Sequence, residues 1–391
     1  MIVRQFLEWM ETAPSGRRAE AAHALARAYL YSTLDDETRS GMEAVMTLLL
    51  DDPAPEVRDA LCDALGASRD APRHIVIALS QDLPHIARSV LARSPVFIDA
   101  ELVDMVAVAD AGMQAAIASR PAMSGEVSAA LAEVGTREAC RILIANPSAS
   151  ILPSALRRLA QRLGDDPEMR DALIDRGGLP PDVHQLLVRR LADALGGLLV
   201  QKGWVEPERV KRLTRESCDR ATVALSQRSG RRDLTVLVRQ LRSTGQLTTE
   251  LLLRTVCCGR MGLFEAALTS LTGVAADRVA AIVASARPTA MCALYAKAGL
   301  PESAFDAFAA AAHVWRDAGS RNAGDRYATT MQAINAVMTT YTGRAQMTDM
   351  AAVLRRFAAD QARDAARTYA MTPVRAKDAP RLPATVSGIA A

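Results

Sequence analysis

Apolar residues recur every three or four positions through most of the chain, and the segment 48–68 shows the pattern most clearly. An Asp-Asp-Pro break there is followed by apolar positions at helical spacing, namely Val57, Leu61, Ala64 and Leu65. This spacing places the side chains on one face of an α-helix. Because a helix pair cannot bury such a face alone, the pattern predicts neighbours stacked on both sides, as in a helical-repeat solenoid.

The Asp-Asp pairs at 35/36, 51/52 and 165/166 stand directly before predicted helices. Asp51 or Asp52 is expected to cap the helix of the first segment, with Pro53 in its first turn. Adjacent carboxylates could also perform acid–base chemistry. Their shared position before helices favours capping.

Similar amphipathic segments follow one another between Gly, Pro and Asp-Pro breaks, and no segment alternates apolar and polar residues in the way of a strand. We therefore predict an all-α fold. The segments vary in length and share no fixed consensus, which favours an irregular HEAT-like α-solenoid over ankyrin or tetratricopeptide repeats.

The strongest break in the first half is the Gly-Gly-Leu-Pro-Pro stretch at 177–181. With the charge distribution described below, it predicts a solenoid in two parts joined by a basic segment. The predicted divisions are an N-terminal HEAT-like helical array at 1–180, a basic helical connection at 181–243, a C-terminal helical array at 244–370, and a disordered tail at 371–391.

Composition supports closely packed helices, since half of the residues are hydrophobic but only 4% are aromatic. No apolar run reaches the roughly 18 residues of a membrane span, and the N-terminus has no apolar core of signal-peptide length. We therefore expect a soluble cytoplasmic protein. The six scattered cysteines are expected to be reduced and buried.

Motifs for enzymatic chemistry do not occur in the sequence. It contains no CxxC pair, no G-x-S-x-G elbow, and no glycine-rich phosphate-binding loop of the dinucleotide or P-loop type. The sequence thus predicts no catalytic residue, no metal site and no cofactor, and we expect a protein that is not an enzyme.

Charge is concentrated just past the middle of the chain, where residues 189–242 hold thirteen Lys or Arg against six Asp or Glu. We predict an anion- or partner-binding surface formed by Arg209, Arg212, Arg228, Arg231, Arg232, Arg239 and Arg242. Guanidinium groups on one helix face bind nucleic-acid phosphates, an anionic nucleotide or an acidic protein. The alternative is a solvated helix face paired with nearby carboxylates.

Several segments together resemble a known family. They are LSQDLPHIARSVLARSPVF (79–97), AIASRP (116–121), LIANPSASI (143–151), ALIDRGGLPPDV (172–183) and LRSTGQLTTELLLRTVCCGRMGLFEAALTSLTGV (241–274). In this order they resemble an uncharacterised, mainly alphaproteobacterial family catalogued as domain of unknown function 2336. The resemblance covers about residues 20–320 and implies a HEAT-like helical fold in a soluble bacterial protein. It implies no activity and no site residues.

The leading functional prediction is a non-enzymatic cytoplasmic scaffold or adaptor that binds another protein along a helical-repeat surface. The alternative is a binder of nucleic acid or an anionic nucleotide through the arginine-rich 209–242 segment. The sequence leaves the partner's identity and the oligomeric state open.

Overall fold

The computed structural model describes residues 8–10, 12–285, 287–319, 326–341, 355–363 and 366. Over these ranges the chain is all-α and contains no strand, which confirms the predicted fold class. The predicted disordered tail at 371–391 lies outside the described residues.

The chain divides into two compact units, Met1–Thr214 and Arg215–Ala391. The division falls inside the predicted basic connection, while the predicted limits at 180, 243 and 370 stay predictions. The helices that lie in the first unit are α1 (Ser15–Tyr31), α2 (Asp36–Leu49), α3 (Pro55–Leu65), α4 (Arg73–Leu79), α5 (Pro84–Arg93), α6 (Asp99–Val108), α7 (Ala111–Ala118), α8 (Gly125–Val134), α9 (Arg137–Ala145), α10 (Pro153–Leu163), α11 (Pro167–Arg176) and α12 (Pro181–Gln201).

Helix α13 (Pro207–Ser226) contains the division between the units. The helices that follow it are α14 (Arg231–Ser243), α15 (Thr249–Cys257), α16 (Met261–Thr272), α17 (Ala276–Ser285), α18 (Pro288–Lys297), α19 (Phe305–Gly319), preceded by the 3₁₀ turn Glu302–Ala304, and α20 (Arg326–Tyr341). Residues 355–363 are also helical.

In the first unit, helices that are two apart in the chain contact one another. One row runs through α1, α3, α5, α7, α9 and α11, and a second runs through α6, α8, α10 and α12. The apolar stripes of these helices meet in one continuous core, to which Val57, Leu61 and Leu65 of α3 contribute fully buried side chains. Each amphipathic helix therefore buries its stripe against its neighbours, as the sequence pattern requires.

Polar contacts join the starts of helices that are two apart. Arg18 of α1 binds both carboxylate oxygens of Asp52, before α3, at 2.8 Å. Arg58 of α3 binds Asp82, before α5, in the same bidentate way at 2.6 and 2.9 Å. Arg157 of α10 binds the buried Asp182 in the first turn of α12. These side chains fix the spacing of neighbouring helices through directional, charge-assisted bonds.

Guanidinium groups also join the ends of such helices. Arg120, after α7, is buried and donates to the carbonyls of Leu91 and Ser94 at the end of α5. Arg162 of α10 donates to carbonyls at the end of α8, and Arg176 of α11 to carbonyls at the end of α9. The last carbonyls of a helix have no partner inside it, so these arginines satisfy groups that would otherwise be unpaired.

The predicted helix caps are partly correct. Asp35 accepts the N–H of Thr38, and Asp166 accepts those of Glu168 and Met169, as helix-capping carboxylates do.

The helix predicted in the 48–68 segment is present, but its predicted cap and first turn were wrong. Helix α3 begins at Pro55, not near Pro53, and its N-cap residue Ala54 makes no side-chain hydrogen bond. Asp52 accepts the N–H of Ala54 at 2.9 Å and lies outside the helix. Its two oxygens bind Arg18 of α1. Asp52 therefore forms an ion pair with another helix and does not cap α3.

The second unit has its own hydrophobic core. The Phe264 and Phe308 rings stack with centroids 5.5 Å apart, and Tyr295 packs against Phe308 at 5.4 Å. Phe357, from the 355–363 helical segment, is buried in the same core. Helix α14 packs on α16 through its own buried residues, and this pair positions the candidate site.

Candidate partner-binding face of helix α14

The seven predicted arginines are all exposed, but they do not belong to one element. Arg209 and Arg212 lie in the part of α13 that belongs to the first unit. Arg228 lies in the turn before α14, and the remaining four lie on α14. The surface described below is therefore built from second-unit residues, and we call Arg228, Arg231, Arg232, Arg239 and Arg242 the arginine face.

Helix α14 positions its four arginines by periodicity. Its buried side chains are Leu234, Leu237, Val238 and Leu241. With 3.6 residues per turn, Arg231 and Arg242 project within about 20° of each other, and so do Arg232 and Arg239. Arg231 and Arg242 border the buried stripe, whereas Arg232 and Arg239 lie almost opposite it. They are about 10 Å apart along the helix axis at a rise of 1.5 Å per residue.

Two arginines of the face have partners within the second unit. Arg231 pairs with Asp277 of α17 at 2.8 Å, with the two side chains 69% and 91% exposed. Arg242 donates to the carbonyl of Ser270, near the end of α16, at 2.7 Å. An ion pair as exposed as Arg231–Asp277 contributes little to stability and competes weakly with an incoming ligand.

The other three arginines of the face are exposed and make no ion pair with any residue that the structure describes. They are Arg228, Arg232 and Arg239. These three side chains thus differ from Arg18, Arg58 and Arg157 of the first unit, which are bound to aspartates of neighbouring helices. The alternative prediction was a solvated helix face whose arginines pair with nearby carboxylates. These three side chains are exposed, but no such pairing is observed for them within the part of the chain that the structure describes.

A cleft of about 220 Å³ lies beside the arginine face, between α14, α16 and the start of α17. The lining residues are Arg231, Leu234, Thr235, Gly262, Glu265, Ala266, Thr269 and Ala276. Gly262 carries no side chain at a point where a Cβ would meet Leu234 Cδ1 at 3.2 Å. The missing side chain keeps this side of the cleft open.

The polar side chains of the cleft differ in whether they have hydrogen-bond or ion-pair partners. Partial burial raises the pKa of the Glu265 carboxyl, while the positive charge of Arg231 acts in the opposite direction. The Thr269 hydroxyl is buried and has no hydrogen-bond partner among the described residues. The cleft therefore combines an apolar wall with one carboxylate and one guanidinium group.

Sequence reasoning did not find Glu265, Thr269 or Asp277. Each is an ordinary residue of an amphipathic helix, and only the packing of α14 on α16 and α17 brings them to the arginine face. The small residues at 262 and 266 are the one sequence signal, because they permit close approach of two helices, but small residues are common in this chain.

The second unit also contains two buried ionisable side chains, one on α13 and one on α15. Asp219 is 8% exposed, and burial raises its pKa to about 6 against the opposing charge of Arg254. Arg254 is 4% exposed, donates to the carbonyl of Glu216 at 3.0 Å and lies 5.0 Å from the centre of the Phe357 ring. The raised pKa of Asp219 couples the interior of the second unit to pH.

The described residues contain no group of three or more potential metal ligands. In the same ranges, no helix combines the length and the apolar character that crossing a bilayer demands.

Comparison with known protein families shows a match over most of the chain. The model of a family of uncharacterised proteins conserved in bacteria, domain of unknown function 2336, matches residues 86–348. No curated protein and no solved structure matches the chain. The matched range includes the arginine face and the cleft.

Proposed function

We propose that this chain, which belongs to the bacterial family with domain of unknown function 2336, is a non-enzymatic interaction module that acts as a scaffold or adaptor for another protein. The observation that carries the proposal is the arginine face. Arg228, Arg232 and Arg239 are exposed without an ion-pair partner in the described chain, next to a cleft with an apolar wall. A complementary partner gains both charge-assisted bonds and apolar contact there.

We further propose that the first unit is a HEAT-like solenoid. Support comes from its two rows of helices, in which each helix contacts the one two positions along the chain. Stacked helices of this kind form extended surfaces that bind partners. We propose that the first unit is a rigid support and that the second unit carries the surface that binds the partner.

The alternative proposal is a binder of nucleic acid or an anionic nucleotide through the 209–242 segment. The same unpaired guanidinium groups favour it, since they also suit phosphate oxygens. The two proposals differ in salt dependence. Neutralising several phosphates makes affinity fall steeply with salt concentration, whereas a protein interface with apolar contacts is less sensitive.

The cysteines support a cytoplasmic location for this module. All six are free thiols, and five of them are buried. Burial raises the pKa of Cys257 above its usual range and that of Cys258 to about 11, which keeps both as unreactive thiols. Unpaired cysteines in this number are typical of a reducing compartment.

The experiment that tests the proposal is affinity purification of the full-length protein from its native bacterial host, with co-purifying molecules identified by mass spectrometry. The test variant is Arg232→Glu/Arg239→Glu. The matched control is Arg69→Glu/Arg287→Glu, since both residues are exposed arginines without an ion pair in the described chain and lie off the arginine face. A third variant, Arg209→Glu/Arg212→Glu, tests the two predicted arginines of the first unit.

We expect a discrete protein that the wild type and the control retain and the Arg232→Glu/Arg239→Glu variant loses. A partner that all variants retain would place the docking surface elsewhere. Loss only with the Arg209→Glu/Arg212→Glu variant would move it to α13. Co-purification of nucleic acid or a nucleotide in place of a protein would support the alternative.

A further inference from the structure

We infer that the partner presents an acidic segment with one apolar side chain, which inserts into the cleft between α14 and α16 while its carboxylates bind Arg232 and Arg239. This inference rests on the proposed function and specifies the chemistry of the partner. It combines three features of the second unit, namely the geometry of the arginine face, the size of the cleft and the character of the cleft walls.

The spacing of the guanidinium groups suits a peptide. Arg232 and Arg239 project in nearly the same direction and are about 10 Å apart along α14. In a polyproline II segment, which has three residues per turn and rises 3.1 Å per residue, carboxylates three residues apart project in the same direction and are about 9 Å apart, close to this distance. The side-chain carboxylates of Asp and Glu accept two parallel N–H bonds from one guanidinium, so both arginines can bind bidentately.

The cleft suits one side chain better than a whole nucleotide. Its volume of about 220 Å³ is below the range of about 300–1,000 Å³ that is usual for small-molecule sites. Leu234, Ala266 and Ala276 supply carbon surface, and Gly262 leaves room beside them. An aliphatic side chain that enters this space removes its apolar surface from water. This burial adds to the affinity that the charged contacts provide.

The cleft walls also disfavour nucleic acid as the occupant. Glu265 places a carboxylate among the lining residues, which repels a phosphate that approaches the same space. None of the lining residues is aromatic, so a base that entered would find no ring to stack on. The inferred peptide places an apolar side chain in this space and its carboxylates at Arg232 and Arg239, and its backbone N–H groups are hydrogen-bond donors for Glu265.

The test measures the binding of fluorescein-labelled 14-residue peptides to the full-length protein by fluorescence anisotropy. The first peptide contains Asp, Glu and Ser with one central Leu. A second has Ser in place of that Leu, a third has Asn and Gln in place of Asp and Glu, and a labelled 12-nucleotide oligothymidine is the nucleic-acid probe. The protein variants are Arg232→Glu/Arg239→Glu and Ala266→Phe, which fills the cleft, with Arg69→Glu/Arg287→Glu as the control.

We expect the acidic Leu peptide to bind most tightly and the Arg232→Glu/Arg239→Glu variant to weaken its binding about tenfold, since two exposed ion pairs are reversed. Ala266→Phe should weaken the Leu peptide to the level of the Ser peptide and leave the Ser peptide unchanged. That pattern assigns the Leu side chain to the cleft. Circular dichroism and thermal melting of each variant show that it is folded.

Three outcomes would overturn the inference. They are tighter binding of oligothymidine than of the acidic Leu peptide, equal binding of the Leu and Ser peptides to the wild type, and no effect of Ala266→Phe. Absence of any peptide binding, together with a co-purified protein that is lost from Arg232→Glu/Arg239→Glu, would refute the inferred chemistry while leaving the scaffold function supported. If no partner protein co-purifies, the proposed function itself fails.

Discussion

At the scale of single residues, Gly259 is a position of the second unit where the structure leaves no room for a side chain. It lies in the turn between α15 and α16 with φ of +65°, and a Cβ at this position would lie 2.6 Å from Trp315 Cε2. Trp315 cannot move away freely, because its indole N–H donates to the carbonyl of Cys257 at 3.0 Å. A side chain here therefore meets both backbone strain and a fixed ring.

We expect Gly259→Ala to destabilise the second unit by about 3 kcal/mol, which combines left-handed backbone strain of about 1–2 kcal/mol with overpacking. Gly299 is the matched control, since its φ is +69° but no atom lies within 4 Å of its Cβ position. Gly299→Ala should cost only about 1 kcal/mol. Urea unfolding followed by circular dichroism measures both variants. Equal losses would show that the Trp315 ring relaxes without cost.

At the scale of elements, the first unit is held by side chains that reach from one helix to the helix two positions away. Arg120 is the most buried arginine of this kind, with 9% exposure and a guanidinium 2.6 Å from the carbonyl of Ser94. Burial lowers its pKa, yet the hydrogen bonds at the end of α5 keep the charged group in place.

We expect Arg120→Met to destabilise the first unit by about 2–3 kcal/mol, because it leaves the carbonyls of Leu91 and Ser94 without donors. Arg17→Met is the control, since Arg17 only forms an exposed pair with Glu20 and should contribute less than about 1 kcal/mol. Hydrogen exchange at α5 and urea unfolding measure the effect. An Arg120→Met protein more stable than the wild type would mean that the cost of burying the charge exceeds the value of its bonds.

The elements themselves could be predicted from the sequence far better than these contacts. The apolar spacing predicts α3 through Val57, Leu61 and Leu65, and all three are fully buried. The end of α11 follows from Gly177, which has a φ of +73°. The role of Asp52 could not be predicted, because a carboxylate before a helix suits both a local cap and a distant guanidinium. Arg18, its actual partner, is 34 residues away.

The candidate site shows the same limit. The excess of arginine in 189–242 and the periodicity of α14 indicate a basic face without any structure. The cleft depends on α16 and α17, whose residues Glu265 and Ala276 carry no chemical signature in the sequence. The seven arginines are divided between two units by the contacts between helices. The periodicity of apolar residues gives no information about those contacts.

At the scale of the whole molecule, the two units have separate hydrophobic cores and should respond to pH separately. In the second unit, Asp219 contributes to this response, because burial raises its folded-state pKa to about 6. Its unfolded-state pKa is about 3.9. Between these values the folded protein holds a proton that the unfolded chain has released, so stability is greatest at low pH and is lost as pH rises through 6.

We expect this single carboxyl to reduce the free energy of unfolding by up to about 3 kcal/mol between pH 4 and pH 7. Asn at this position cannot ionise, so the stability of the wild type minus that of Asp219→Asn should fall by that amount over the same interval. Scanning calorimetry measures it, with the second-unit transition identified as the one that Gly259→Ala shifts. Parallel pH curves for the two proteins would show that the pKa of Asp219 is the same in the folded and the unfolded state.

The ion pairs between alternate helices of the first unit also bear on how the chain acquires its structure. Arg18–Asp52, Arg58–Asp82, Arg137–Asp166 and Arg157–Asp182 join residues only 24 to 34 positions apart. Chains whose contacts are local in sequence have low contact order and close short loops quickly. As the chain leaves the ribosome, each helix can thus dock on the helix two before it while the next one is still being synthesised, and the first unit can grow from its N-terminus without waiting for the second.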